Sequence, residues 1–141
     1  MDEWERRRGR VTVLTPHEGE FLRVGGDLSQ GRTAAAEDFA RRSGAVVVLK
    51  GPGTVVAGPD GRCRVNTTGN CGMAKGGSGD VLSGVVLALL GLGMDAFDAC
   101  CCAVWLHGRA GDLAAQEKGQ WGMTPTDLLE RLPQALREVT E

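Results

Sequence analysis

Short apolar runs and longer stretches of helical periodicity alternate along the chain. Residues 10–15 are predicted to form a strand, in which Val11, Val13 and Leu14 give an apolar run that Pro16 stops. Residues 45–49 are apolar on both faces, as in a strand that helices cover on both sides. Between them, residues 33–43 have the pattern of an alanine-rich helix that ends at Gly44. The residues that this helix should bury are Ala35, Phe39 and Ala40. This alternation predicts an α/β protein.

From residue 54 onward the chain has a hairpin pattern followed by three helical patterns. Residues 54–58 and 63–66 are predicted to be short strands joined by a Pro-Asp-Gly-Arg turn. Helices are predicted over residues 78–90, 95–117 and 127–132, and a proline then ends or restarts the last one. The apolar stripe of the first of these helices consists of Val81, Leu82, Val85, Val86, Leu89 and Leu90.

A glycine-rich loop with one carboxylate leads into the helix at residues 78–90. The backbone amides of Gly77, Ser78 and Gly79 are expected to form an anion hole at the helix start. Phosphate suits this end because the first N–H groups are unpaired and the helix dipole is positive there. Asp80 either takes a proton from a hydroxyl that reacts with a phosphoryl group, or only caps the helix. The residues alone leave both interpretations open.

Three further side chains are considered for ligand contacts. His17 follows the first strand in a segment with the pattern of a helix start, where open α/β sheets bind ligands. Lys50 follows the second strand and is either a phosphate-binding cation or an ordinary surface lysine. His107 lies inside the long helix, where a structural role is expected. Neither a G-x-x-x-x-G-K-[ST] loop nor a G-x-G-x-x-G loop occurs, so a nucleotide would need another cradle.

The composition narrows the class of protein. A chain of 141 residues suits one domain, and its 42% apolar and 24% charged residues indicate a globular protein. A net charge of −2 gives no basic footprint for nucleic acid. No apolar run approaches the about 20 residues that span a bilayer, so a cytoplasmic protein without membrane contact is expected. The 5 cysteines lack the spacing of zinc sites. Those at 100–102 point about 100° apart on a helix and cannot converge on one metal ion, so the cysteines are interpreted as core residues in a reducing compartment.

Several motifs follow one another in a specific order. They are Thr-Pro-His-Glu-Gly-Glu at 15–20, Leu-Lys-Gly at 49–51, Asn-Thr-Thr-Gly-Asn at 66–70, Gly-Met-Ala at 72–74, Gly-Gly-Ser-Gly-Asp-Val-Leu at 76–82, and His-Gly with Ala-Gly-Asp at 107–112. Together they resemble the carboxyl-terminal half of the NAD(P)H-hydrate dehydratase family, within the ribokinase-like superfamily. The resemblance implies part of a three-layer α/β/α fold with a mostly parallel central sheet. Residues 1–141 would be a single incomplete domain with a poorly defined start at 1–10, its amino-terminal half missing.

The resemblance also implies a function. Members of this family are lyases that use ADP or ATP to dehydrate the S epimer of hydrated NADH or NADPH. They phosphorylate the ring hydroxyl, which is then lost as phosphate. It implies that Asp80 is catalytic and takes the hydroxyl proton, that His17 and Asp80 contact the hydrated dinucleotide, and that Mg²⁺ accompanies the nucleotide. The residues implied in nucleotide contact are Lys50, Gly51, Pro52, Gly53, Thr54 and Gly79.

The chain also departs from the family, whose members have a domain about twice as long. The missing half would leave strand edges and apolar faces uncovered, so a homo-oligomer or association with the missing amino-terminal half is expected. Two other functions stay open: a ribokinase-like kinase for a vitamin-precursor alcohol, and a nucleotide-binding remnant without catalysis. The substrate-side motif around His17 favours the dehydratase over the kinase.

Overall fold

The computed structural model describes residues 3–141, which separate into two compact units. The first unit comprises the described part of Met1–Asn66 together with Asp95–Cys101. The second comprises Thr67–Met94 together with Cys102–Glu141. The first unit contains a β-sheet with helices, and the second is built from helices and loops.

The first unit contains a mixed four-stranded sheet in the order β1-β2-β3-β4. Its strands are β1 (Val13–Leu14), β2 (Val46–Leu49), β3 (Val55–Ala57) and β4 (Cys63–Val65). The predicted hairpin is confirmed, because β3 and β4 pair antiparallel, as do β2 and β3, whereas β1 and β2 pair parallel. These four strands are therefore mixed rather than mostly parallel. The short connections after β2 and β3 allow only antiparallel pairing, and only the longer connection from β1 lets the chain return parallel.

Helix α2 (Arg32–Ser43) covers the sheet and supplies much of the core of the first unit. It ends at Gly44, whose φ of 71° is left-handed, as the sequence predicted. Every residue of β2 is buried, which confirms a strand that is apolar on both faces. A short helix, α1 (Glu18–Arg23), precedes α2, and a single-turn 3₁₀ helix lies at Glu5–Arg7. The core comprises Phe21, Ala35, Ala36, Phe39, Ala40, Val47, Leu49, Val55 and Ala57.

Helix α4 (Ala96–Gly122) begins in the first unit and continues in the second. At its start, Nη1 of Arg62 lies 2.9 Å from Oδ2 of Asp95, and this guanidinium lowers the pKa of the Asp95 carboxyl. The helical conformation is interrupted at Gly119, where φ is 74° and ψ is 158°. The first regular stretch of α4 therefore ends close to the predicted end at residue 117.

The second unit packs helices α3 (Ser78–Gly91) and α5 (Pro125–Thr140) with the later part of α4. The stripe predicted for α3 is confirmed, with Leu82 and Val86 buried. The core comprises Leu106, Ala110, Leu113, Leu128 and Ala135, with Met73, Val81, Val85, Leu89, Trp105 and Leu132 packed against it. No helix of residues 3–141 is both long and apolar enough to cross a membrane.

Helix α5 is longer than predicted, because Pro133 lies inside it and neither ends nor restarts it. A proline removes one hydrogen bond of the helix, but packing of an apolar face stabilises a helix that would not form from intrinsic helix propensity alone. Arg109 of α4 adds a second restraint in the last turns of α5. Its Nε lies 2.6 Å from Oε2 of Glu138 and its Nη2 lies 2.9 Å from Oε1, and this pairing lowers the pKa of Glu138.

The cysteines differ in exposure and do not form one core set. Cys100 is fully buried, and burial raises the pKa of its thiol to about 12. Cys101 is partly buried and Cys102 is exposed, because successive helical residues point about 100° apart. The core interpretation is therefore confirmed for Cys100, whereas it is wrong for Cys102 and for the exposed Cys71.

Candidate functional site

Two of the candidate residues meet at the carboxyl ends of β1 and β2. His17 and Lys50 form a parallel β-bridge, and the N–H of Lys50 donates to the carbonyl of Pro16 at 2.9 Å. Because β1 and β2 run parallel, both residues leave the sheet at the same edge, which is where ligands bind in open α/β sheets. Residues that the sequence places after separate strands are therefore neighbours.

His17 also caps helix α1. Its Nδ1 accepts the N–H of Glu20 at 3.2 Å, and its own N–H donates to Oε2 of Glu20 at 2.9 Å. The second bond lowers the pKa of the Glu20 carboxyl. Since Nδ1 accepts, the neutral ring carries its proton on Nε2. The side chain is 55% exposed, so the imidazole is fixed in orientation and still open to a ligand.

The 50–54 loop follows β2 and consists of Lys50, Gly51, Pro52, Gly53 and Thr54. Gly51 and Gly53 have φ values of 151° and 65°, which favour glycine. Oγ1 of Thr54 donates to the carbonyl of Gly51 at 3.0 Å. The side chain of Arg32 donates to further carbonyls of this loop. Sequence reasoning missed Arg32, because no local pattern relates a helix residue to the carbonyls of a distant loop.

In the second unit, the predicted anion hole lies at the start of α3. Gly77 precedes the helix with a φ of 96°, Ser78 is buried, and Gly79 is partly buried. The N–H of Ser78 donates to the carbonyl of Lys75 at 3.2 Å, so this amide is occupied within the loop. A Cβ at position 77 would lie 3.4 Å from Cγ of Pro125, which is an ordinary contact, so glycine is favoured there by its φ and not by lack of space.

Asp80 is the third residue of α3, and its side chain is exposed. The N-cap residue of α3 is Gly77, which has no side chain to cap with, and among the described residues the Asp80 carboxylate makes no hydrogen bond in its place. The capping interpretation of Asp80 therefore lacks the bond that a cap requires, and only a charge–dipole interaction with the helix is left to it. An exposed carboxylate beside the first turn of a helix is placed to accept a proton from a bound hydroxyl.

His107 holds the start of α3 from the side. Its Nε2 lies 2.9 Å from the carbonyl oxygen of Ser78 and 3.3 Å from Oγ of the same residue. Because a carbonyl only accepts, Nε2 carries the proton and donates it. The residue is 9% exposed, and the structural role expected for His107 is confirmed in a specific form, since it orients the loop that precedes Asp80.

The segment before the glycine-rich loop is anchored on α4. Asp112 accepts the N–H of Gly69 at 3.0 Å and Nδ2 of Asn70 at 2.9 Å, while Oγ1 of Thr68 donates to the carbonyl of Trp105 at 3.0 Å. These contacts explain why an Ala-Gly-Asp motif accompanies the Asn-Thr-Thr-Gly-Asn motif. The two sequences lie far apart along the chain but form one hydrogen-bonded unit.

Lys75 is a further residue that sequence reasoning missed. Its Nζ donates to the carbonyl of Trp121 at 3.1 Å and also contacts the carbonyl of Met123. The glycine-rich loop is thus tied to the end of α4 and to the residue that follows it. Across residues 3–141, no three side chains of His, Cys, Asp or Glu converge in a way that could hold a metal ion.

A family model described as NAD(P)H-hydrate dehydratase matches residues 2–134. A bifunctional NAD(P)H-hydrate repair enzyme of Thermofilum pendens is 48% identical over 143 residues, covering 99% of this chain and 27% of that protein. An ADP-dependent (S)-NAD(P)H-hydrate dehydratase of Bacillus subtilis is 40% identical over 134 residues, covering 92% of this chain and 48% of that protein. The chain therefore spans less than half the length of these curated relatives.

Solved structures show the same similarity. The ADP/ATP-dependent NAD(P)H-hydrate dehydratase of Bacillus subtilis, co-crystallized with ATP/Mg²⁺, superposes with a TM-score of 0.87 at 38% identity, over 93% of this chain and 49% of that one. A ribokinase-like superfamily protein of Enterococcus faecalis superposes with a TM-score of 0.79 at 31% identity, over 89% of this chain and 44% of that one. The ribokinase-like α/β fold that the motifs implied is thereby confirmed.

Proposed function

The chain belongs to the NAD(P)H-hydrate dehydratase family, and on that basis we propose that it acts in the nucleotide-dependent dehydration of (S)-hydrated NADH or NADPH to the intact cofactor. One observation carries the proposal. Asp80 presents an exposed carboxylate in the first turn of α3, directly after the glycine-rich loop, and this carboxylate makes no cap hydrogen bond among the described residues. A carboxylate among phosphate-binding amides repels phosphate, so it needs a chemical role at that position.

The role that suits Asp80 is that of a general base. It takes the proton of the ring hydroxyl, whose oxygen then attacks the terminal phosphorus of ADP or ATP, and the shorter nucleotide leaves. The C–O bond of the phosphorylated carbon then breaks, phosphate departs, and the ring regains its double bond by losing a proton from the neighbouring carbon. The amides of Gly77 and Gly79 at the positive end of α3 stabilise the transferring phosphoryl group.

The remaining site residues are proposed to contact either the hydrated dinucleotide or the nucleotide. In the first unit, His17, whose ring is oriented by Glu20, is proposed to contact the hydrated dinucleotide, and in the second unit the same role is proposed for Asp80. Nucleotide contacts are proposed for the 50–54 loop in the first unit, where Lys50 supplies a point charge for phosphate, and separately for Gly79 in the second unit. Mg²⁺ suits this chemistry because it keeps several waters and is held largely by phosphates, so it would need no cluster of protein carboxylates here.

A single assay tests the proposal. The chain is incubated with (S)-hydrated NADH and ADP or ATP in the presence of Mg²⁺, and absorbance of the reduced nicotinamide ring is followed. We expect absorbance to return only when nucleotide is present. Nucleotide binding without turnover would instead indicate a catalytically inactive remnant, and phosphorylation of a vitamin-precursor alcohol would indicate a kinase that uses the same loop.

We also expect the chain to self-associate, or to bind an amino-terminal half-domain like that of its longer relatives. Among the described strands, β1 pairs only with β2 and so keeps one edge without a neighbour. Several large apolar side chains are exposed, among them Val11, Leu92 and Trp121, the last at 99%. Exposed apolar groups and unpaired edges favour association. Light scattering at micromolar concentration checks this, and a clean monomer would contradict it.

A further inference from the structure

We propose that Arg32 is a positioning residue that sets the shape of the 50–54 loop and joins it to the start of α1, which carries His17. Arg32 is the first residue of α2, at the junction between a loop and this helix, and it belongs to none of the sequence motifs. The identity of the ligand that the loop binds, an adenine nucleotide, rests on the proposed function. The positioning role itself rests on the contacts of Arg32.

The guanidinium of Arg32 bridges three carbonyls at the end of β2. Its Nη1 donates to the carbonyls of Pro52 at 2.7 Å and Gly53 at 3.1 Å, and its Nη2 donates to the carbonyl of Leu49 at 3.0 Å. On its other side, Nε lies 3.0 Å from Oε1 of Glu18. One planar cation therefore contacts both the loop and the first residue of α1.

The donor inventory of Arg32 argues against a direct role as a phosphate ligand. A guanidinium has five N–H groups in a fixed fork. Both N–H groups of Nη1 and one of Nη2 are used by carbonyls. Nε is buried 3.0 Å from Oε1 of Glu18, where it forms an ion pair without a hydrogen bond, so every side of the fork faces protein groups. The side chain is 26% exposed, so most of it is removed from water. Arg32 is built to hold protein groups.

The loop depends on such a residue because its own backbone is weakly restrained. Gly51 and Gly53 adopt conformations that many other residues would not, and the bond from Thr54 to Gly51 is local. A loop with two glycines has much conformational freedom to lose on binding a ligand. The guanidinium also donates to the carbonyl oxygens of the loop. These negative ends of the carbonyl dipoles therefore point toward the cation of Arg32, which reduces their repulsion of a bound phosphate.

Close packing supports the same conclusion. A Cβ added at Gly51 would lie 2.8 Å from Nη2 of Arg32, so the backbone approaches the guanidinium as closely as a glycine permits. The loop is joined to the His17 segment by a second link, the backbone bond from Lys50 to the carbonyl of Pro16. Arg32 and this bond together make the two segments one hydrogen-bonded body within the first unit.

The test compares Arg32→Lys with Arg41→Lys in the whole chain. Lysine keeps the charge but cannot reproduce the fork, whereas Arg41 lies on the same helix with a side chain 69% exposed and pairs only with Asp38. Amide hydrogen exchange at Lys50 reports whether the loop stays joined to the Pro16 carbonyl, and the hairpin amide of Gly58 serves as an internal reference. Affinity for ADP is measured by calorimetry on the same samples.

In Arg32→Lys we expect exchange at Lys50 to be about tenfold faster, with Gly58 unchanged, and affinity for ADP to be about tenfold weaker. Arg41→Lys should change neither, and Glu18→Gln should accelerate exchange at Lys50 to a smaller extent. Unchanged exchange at Lys50 in a folded Arg32→Lys protein would overturn the inference. If the wild-type chain binds no ADP but the exchange result holds, the positioning role stands and the proposed function fails for this chain.

Discussion

Replacing Asp80 by asparagine is expected to lower the rate of dehydration by about 10²–10⁴-fold, the range typical of a lost general base. Asparagine keeps the size and the polarity of the side chain but cannot take the hydroxyl proton. The protein should lose at most about 0.3–1 kcal/mol of stability, because the carboxylate is exposed and only its charge–dipole interaction with α3 is removed. The measurement is the return of absorbance of the reduced ring with hydrated NADH and ADP, together with a thermal melt.

The matched control for this substitution is Asp98→Asn. Asp98 is likewise the third residue of its helix and is exposed, but its carboxylate faces Arg62 at 3.6 Å in the first unit. This variant should retain both activity and stability, because exposed ion pairs contribute little. Full activity of Asp80→Asn would remove Asp80 from its proposed role and leave the amides of the glycine-rich loop as the main catalytic groups.

Replacing Gly108 by alanine is expected to destabilise the protein by about 1–3 kcal/mol and to distort the segment that leads to the glycine-rich loop. A Cβ at this position would lie 2.2 Å from Oγ1 of Thr68 and 2.7 Å from its backbone carbon. Backbone atoms cannot rotate away as the end of a flexible side chain can, so the segment itself must move. Chemical denaturation followed by fluorescence measures the change in the free energy of unfolding.

Gly84→Ala in helix α3 is the control for this prediction. No atom lies within 4 Å of a Cβ built at Gly84, so the added methyl group meets no obstacle. Because alanine loses less backbone entropy than glycine in a helix, this variant should be more stable by about 0.5–1 kcal/mol. A Gly108→Ala protein as stable as the wild type would show that the contact between α4 and Thr68 relaxes easily.

The secondary structure followed from short-range signals with few exceptions. The left-handed glycine that ends α2, the turn between β3 and β4 and the apolar stripe of α3 all depend on residues a few positions apart. Pro133 was the main error, because local propensity disfavours a helix there and long-range packing of α5 overrides it. The exposed Cys102 shows the same limit, since composition does not reveal which face of a helix is covered.

The candidate site was only partly predictable for a related reason. His17, Lys50 and Asp80 were predicted as ligand contacts because each follows a strand or opens a helix, where ligand chemistry is expected. The residues that hold these groups in place carry no such local mark. They are Arg32, Lys75, His107 and Asp112, and each acts through a hydrogen bond to a backbone group far away in the sequence.

Periodicity, glycine placement and ordered motifs were sufficient to identify the α/β class, the glycine-rich turn into α3 and the family, because these features depend on local geometry or on residue identity. Long-range packing was needed to show that His107 donates to Ser78 and that Arg32 bridges the 50–54 loop and Glu18. A hydrogen bond requires two groups to meet within about 3 Å, and for residues distant in sequence only the folded chain brings them together.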